Sequence, residues 1–142
     1  MDEQGINGDI VTALNRFFEV MHAWETDNGE INSMMERGET IDAVVRRQGD
    51  RLHTIFDEFC IYGAHPARWP SLSLMHEYLP GIERVLEMVY WSDRAVTVKT
   101  ETELGEGKVM YLYDLTLANG KWLILDNRRR FNVDGSLFPR PL

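Results

Sequence analysis

The spacing Glu19-Val-Met-His22 sets a carboxylate and an imidazole on one face of a helix. Glu-x-x-His pairs hold di-iron centres in helix bundles, but those sites need two copies plus further carboxylates, and this chain has a single copy. The other histidines, His53, His65 and His76, form no His-Glu-x-x-His or paired ligand spacing. They read as ordinary hydrogen-bonding side chains, and no metal or cofactor is expected. A second chemical possibility is a cavity base working with a tyrosine donor that stabilises an oxyanion. Tyr111 and Tyr113 share the parity of Val109, Leu115 and Leu117 and so point inward, whereas Asp114 has the opposite parity and points away. A Tyr113/His22 pair is the acid–base combination weighed, against packing tyrosines with satisfied hydroxyls, which is the preferred reading. Cys60 stands in the apolar run Ile55-Phe56-Asp57-Glu58-Phe59-Cys60-Ile61 and reads as a buried small hydrophobe. The one basic run is Arg128-Arg129-Arg130. In extended chain Arg128 and Arg130 share a face, available to phosphate, to a carboxylate-rich partner or to salt bridges with acidic helices.

The elements that must position these residues follow from hydrophobic period. Ile10, Leu14, Phe17, Phe18, Met21 and Trp24 recur at helical spacing, which predicts a helix from about Asp9, as N-cap, to Trp24. Asp27-Asn28-Gly29 ends it. Ile31, Met34 and Met35 suggest a short second helix broken at Gly38. A longer one then carries Ile41, Val44, Val45, Leu52, Phe56 and Phe59, with Gly49-Asp50 able to bend it. The prolines of Gly63-Ala-His-Pro66 and Arg68-Trp-Pro70 stop helical structure. Leu79 to Trp91 fits either a helix or a strand and is assigned as a strand that turns through Trp91-Ser92-Asp93-Arg94. Beyond it the period changes to two: Val96, Val98, Thr100, Thr102 and Leu104 alternate with Thr97, Lys99, Glu101 and Glu103. Gly105-Glu-Gly107 and Ala118-Asn119-Gly120 supply hairpin turns around the strand Val109–Leu117, and Lys121–Asp126 is the next strand. The expected fold class is α+β, with N-terminal helices packed on a curved antiparallel sheet, in a single domain over residues 1–142.

The chain has 142 residues, 44% hydrophobic and 27% charged, enough for one packed core and unlike a disordered segment. One cysteine forms no intramolecular disulfide; no signal sequence opens the chain and no apolar stretch approaches the ~20 residues of a membrane span. A cytoplasmic location is expected. The net charge is −8, and residues 1–62 alone hold 13 acids against 5 bases. That balance disfavours nucleic acid and attracts a basic protein partner. Parity exposes one further feature. With Tyr111, Tyr113, Trp122 and Ile124 inward, Met110, Leu112, Leu123 and Leu125 form an apolar outer patch, expected to pair with another protein, either a different chain or a second copy in a homodimer.

The order of helices followed by a strongly bent meander is similar to the nuclear transport factor 2-like cone. Tyr111-Leu-Tyr-Asp-Leu-Thr-Leu-Ala-Asn-Gly-Lys-Trp-Leu-Ile-Leu-Asp126 resembles its last two strands, with Gly-Lys-Trp at the hairpin. Within that superfamily the chain most resembles the immunity proteins of bacterial polymorphic toxin systems. Phe17-Phe18, Met21, Trp24-Glu25, Ile55-Phe56, Phe59-Cys60, Arg94-Ala-Val-Thr-Val-Lys-Thr100 and the Tyr113…Trp122 hairpin carry the likeness. The resemblance implies binding without catalysis: neutralisation of a cognate toxin domain in the producing cell. The alternative it leaves open is a small cone enzyme or ligand-binding protein, SnoaL-like or ketosteroid isomerase-like. Its cavity would be lined by Phe18, Trp24, Phe59, Tyr111, Tyr113 and Trp122. A structural subunit held through the outer sheet face is a third reading.

Overall fold

The computed structural model describes residues 3–28, 36–61, 78–104, 107–131 and 137–141. Among them the chain is α+β: helices α1 (Glu3–Asn28) and α2 (Ile41–Phe59) pack on one antiparallel sheet. Its strands are β1 (Arg84–Ser92), β2 (Ala95–Leu104), β3 (Gly107–Ala118), β4 (Lys121–Phe131) and β5 (Leu137–Pro141), in the order β1-β2-β3-β4-β5. The sheet is a simple meander and is open, with β1 and β5 at its edges.

Helix α1 buries the predicted stripe of Ile10, Leu14, Phe17, Phe18, Met21 and Trp24. It begins earlier than its sequence suggests, so Asp9 lies inside the helix and is not its N-cap. Gly5 and Gly8 each disfavour that extension by about 1 kcal/mol. Tertiary contact offsets part of this, because the Tyr90 hydroxyl of β1 donates to Asn7 Oδ1 in the added turns. Thr40 caps α2, its Oγ1 accepting from the Ala43 amide at 3.2 Å. The helix then runs unbroken through Gly49. Trp24 joins the two helices by donating its Nε1 hydrogen to the Gln48 carbonyl at 2.8 Å. Cys60 closes α2, is buried outside any disulfide, and bridges to Ile124 of β4. The expected short helix over Ile31–Met35 and the proline loop at 63–70 lie outside the described residues.

The run from Leu79 resolves into a turn, closed by the Ile82 and Glu83 amides on the Leu79 carbonyl, and then strand β1. Asn119 and Gly120 both have positive φ, 52° and 78°, as a two-residue hairpin turn with the right strand twist requires. Strand β4 continues past Asp126 to Phe131 because its second half pairs with both β3 and β5. Strand β5, Leu137-Phe-Pro-Arg-Pro141, was not expected from a segment with two prolines. An edge strand tolerates them, since its outward backbone needs no donor. The inner face of the sheet carries Val96, Val98, Val109, Tyr111, Tyr113 and Leu115 against the helices. No helix among the described residues is long and apolar enough to cross a membrane.

Candidate functional site

The core of the sheet is not wholly apolar. Arg128 is fully buried and lies among aromatic rings, its guanidinium carbon 3.9 Å from the Tyr111 ring centre, 4.5 Å from Tyr78 and 5.9 Å from Tyr113. Its Nη1 donates to the Tyr113 hydroxyl at 2.9 Å. That hydroxyl donates in turn to Glu83 Oε2 at 2.9 Å, and Thr100 Oγ1 donates to the same oxygen at 2.7 Å. Glu83, 3% exposed, and Arg128 therefore meet through a shared phenol. Helix α1 holds the other side of the cage. Glu25 Oε1 accepts from the Tyr78 amide at 3.0 Å, and His22 Nδ1 lies 2.8 Å from the Tyr78 carbonyl. A carbonyl only accepts, so Nδ1 carries the proton.

Burial pushes the Glu83 carboxyl above its ordinary value, and the facing Arg128, Thr100 and Tyr113 offset only part of that rise. Burial likewise pushes Tyr113 well up, so near neutrality it is a phenol with a proton to donate. For Arg128 burial works against the charge, but the surrounding Tyr113, Tyr78, Tyr111 and Glu83 outweigh it and hold it as a guanidinium. Glu83 Oε1 and Thr102 Oγ1 are buried without a hydrogen-bond partner among the described residues.

The register explains why Arg128 is inside. Tyr113 pairs with Arg128 and Leu115 with Ile124, so two steps on β3 face four on β4. The irregularity leaves parity unchanged, and the inward face of Ile124 continues to Arg128 and to Arg130, which pairs with Tyr111. The expectation of Arg128 on a partner-facing surface is thus corrected: its side chain is in the core. Arg130 sits half-buried on that same inner side, and Arg129 is the outward member of the run. There Arg129 Nη2 binds both oxygens of Asp114, at 3.0 and 3.1 Å.

The residues expected to line a cavity divide. Phe18, Trp24, Tyr111 and Tyr113 are packed core. Phe59 and Trp122 instead line a cleft of about 700 Å³ between α1, the end of α2 and the β3–β4 hairpin, with Asp9, Arg16, Asp93 and Lys121 around it. Tyr113, Glu83 and Arg128 line neither this cleft nor the shallow one over α2 at Ala43, Arg47 and Thr54. The Tyr113/His22 pair does not form: His22 serves Tyr78, and the partner of Tyr113 is Glu83. Glu83 carries no signal of its own in the sequence: it stands between Ile82 and Arg84, with a second acid, the exposed Glu87, four residues on.

On the outer face Met110, Leu112, Leu123 and Leu125 are all half-buried. The patch is interleaved with charge, for Leu112 lies between Lys99 and Arg129 on the neighbouring strands, and Lys99 Nζ sits 5.2 Å over the Phe131 ring. The helical layer is different. Asp9, Glu19, Glu36, Asp42, Asp50 and Asp57 are exposed, and none makes an ion pair among the described residues. Arg16, Arg37, Arg47 and Arg51 are each matched to a carboxylate there, leaving Arg46, among the described residues, as the exposed helix arginine without one. Among the described residues no group of three His, Cys, Asp or Glu is placed to hold a metal ion.

Compared with known proteins, the chain matches no family model, no curated protein sequence and no solved structure. The class that the fold defines is an α+β protein, in which the described residues form two helices on an open five-stranded antiparallel meander, with a buried Glu83–Tyr113–Arg128 network.

Proposed function

We propose that this chain is an immunity protein of the nuclear transport factor 2-like type, a cytoplasmic binder that neutralises a cognate toxin domain without turnover. The observation that carries the reading is the anionic helical layer. Six exposed carboxylates on or beside α1 and α2 lack an ion partner among the described residues, against one arginine in that state. Such a field attracts a basic protein and speeds its encounter. The resemblance of the helix stripe and the final hairpin to those immunity proteins supports the same reading. So does the engagement of the best chemical group, the Tyr113 hydroxyl, by two protein partners inside the core.

A cone enzyme or ligand-binding protein is the second reading, favoured by the Phe59–Trp122 cleft, whose size falls in the range of small-molecule sites. Affinity purification of the tagged chain from its native cells, with mass spectrometry of stoichiometric partners, separates the two. Recovery of the basic C-terminal toxin region of a large secreted protein is the expected result. A partnerless chain, from cells shown to express such a toxin, would move the function to the cleft.

A further inference from the structure

Five large hydrophobic side chains stand exposed among the described residues, and four of them, Ile82, Leu86, Val89 and Trp91, belong to β1 or the turn that leads into it. Strand β1 is an edge of the sheet, so one row of its backbone donors and acceptors pairs with no strand among the described residues. Its ladder with β2 skips Leu86 and Trp91, each an extra residue at a register shift. Bulges often blunt an edge, but a protective bulge would not present apolar side chains to water. Here they turn Leu86 and Trp91 outward, on either side of the regular stretch Glu87–Tyr90.

Trp91 is 72% exposed and yet fixed. Its Nε1 donates to Thr97 Oγ1 at 2.7 Å, and Thr97 Oγ1 donates to Asp114 Oδ1 at 2.6 Å, the carboxylate that Arg129 also grips. The polar edge of the indole is satisfied, and its apolar faces are left to water in one orientation. A large ring held in place loses little entropy when it is covered.

We infer that β1 is the interface of a symmetric dimer, in which two copies of this chain pair antiparallel along their β1 edges. The charge pattern selects a second copy over a basic partner. The chain carries −8, yet from Arg84 to Arg94 the exposed charges are two bases, Arg84 and Arg94, and two acids, Glu87 and Asp93. This segment has no net charge of its own to draw a cation or to set directly against its twin. A twofold axis at Met88 sets Glu87 opposite Val89, and Arg84 opposite Ser92 beside Asp93, so no like charges face one another. Such a contact joins two five-stranded sheets and covers Leu86, Val89 and Trp91 of both copies. It moves the homodimer expected at the outer sheet face to the sheet edge, and it does not depend on the toxin reading.

Sedimentation equilibrium of the full chain, from low micromolar to roughly 100 μM, tests it. The wild type is expected to dimerise, and added salt, which screens the −8 of each copy, should not weaken the dimer. Leu86→Lys with Val89→Lys, substitutions at exposed positions, should weaken the dimer by at least about tenfold with an unchanged circular dichroism spectrum. Trp91→Ala should weaken it in the same direction, which guards against misfolding of the lysine variant. A monomer throughout the range would overturn the inference. So would a dimer that survives these changes and dissociates with Leu112→Glu and Leu123→Glu.

Discussion

Arg128 Nη1 donates to the Tyr113 hydroxyl at 2.9 Å inside the core, and the same hydroxyl passes its own proton toward Glu83. A buried cation and a buried carboxyl are thereby joined at one atom that both need. Removing one partner of such an arrangement strands the other. Arg128→Met is expected to lower stability by about 3 kcal/mol, read from urea unfolding midpoints. A loss below half of that would mean that packing alone replaces the cage.

Glu83 gives the network a pH signature. Its folded pKa is raised above the ordinary 4.5, so its contribution to stability is fully present below the unfolded value and is lost as pH rises through the folded value. Stability measured against Glu83→Gln from acid to neutral pH should therefore fall for the wild type relative to the variant, by at most about 1.4 kcal/mol per pH unit. A relative gain on the same climb would show that Arg128 outweighs burial and that the carboxyl titrates low.

Tyr113→Phe deletes the bridging hydroxyl and leaves Arg128 Nη1 and Glu83 Oε2 each short of a bond. A loss of about 1–3 kcal/mol is expected in thermal or denaturant unfolding, with no change in affinity for a protein partner. A variant of wild-type stability that had lost partner binding would instead make the network part of the binding site.

Much of this architecture was legible in the residues. The period of Ile10 to Trp24 gave the buried stripe of α1, and the alternation of Val96 to Thr102 and Val109 to Leu117 gave the inner face of the meander. Asn119-Gly120 marked its turn. What escaped were long-range facts. Arg128-Arg129-Arg130 looks like a surface run because a charged residue is costly to bury, and only the pairing of Arg128 with Tyr113 shows what compensates it. Glu83 is silent in sequence because its partners Thr100 and Tyr113 arrive from other strands. Strand β5 was hidden by prolines, which local propensity counts against a strand and an edge position permits.

The anionic helical layer leads to a kinetic expectation. Asp42→Asn, Asp50→Asn and Asp57→Asn together should slow association with the recovered partner several-fold and flatten its dependence on salt, with a smaller effect on dissociation. Surface-based kinetics at low and high ionic strength would show it. An unchanged association rate would place the contact on another face.

The proposed activity is stoichiometric inhibition, and titration of the recovered toxin domain's activity with this chain tests it most directly. Inhibition is expected to reach its endpoint at a fixed molar ratio and to stay constant with incubation time, for the wild type and for Glu83→Gln alike. Progressive inactivation by substoichiometric amounts of the chain, abolished by a core substitution such as Glu83→Gln that leaves the fold intact, would show turnover and contradict the binder.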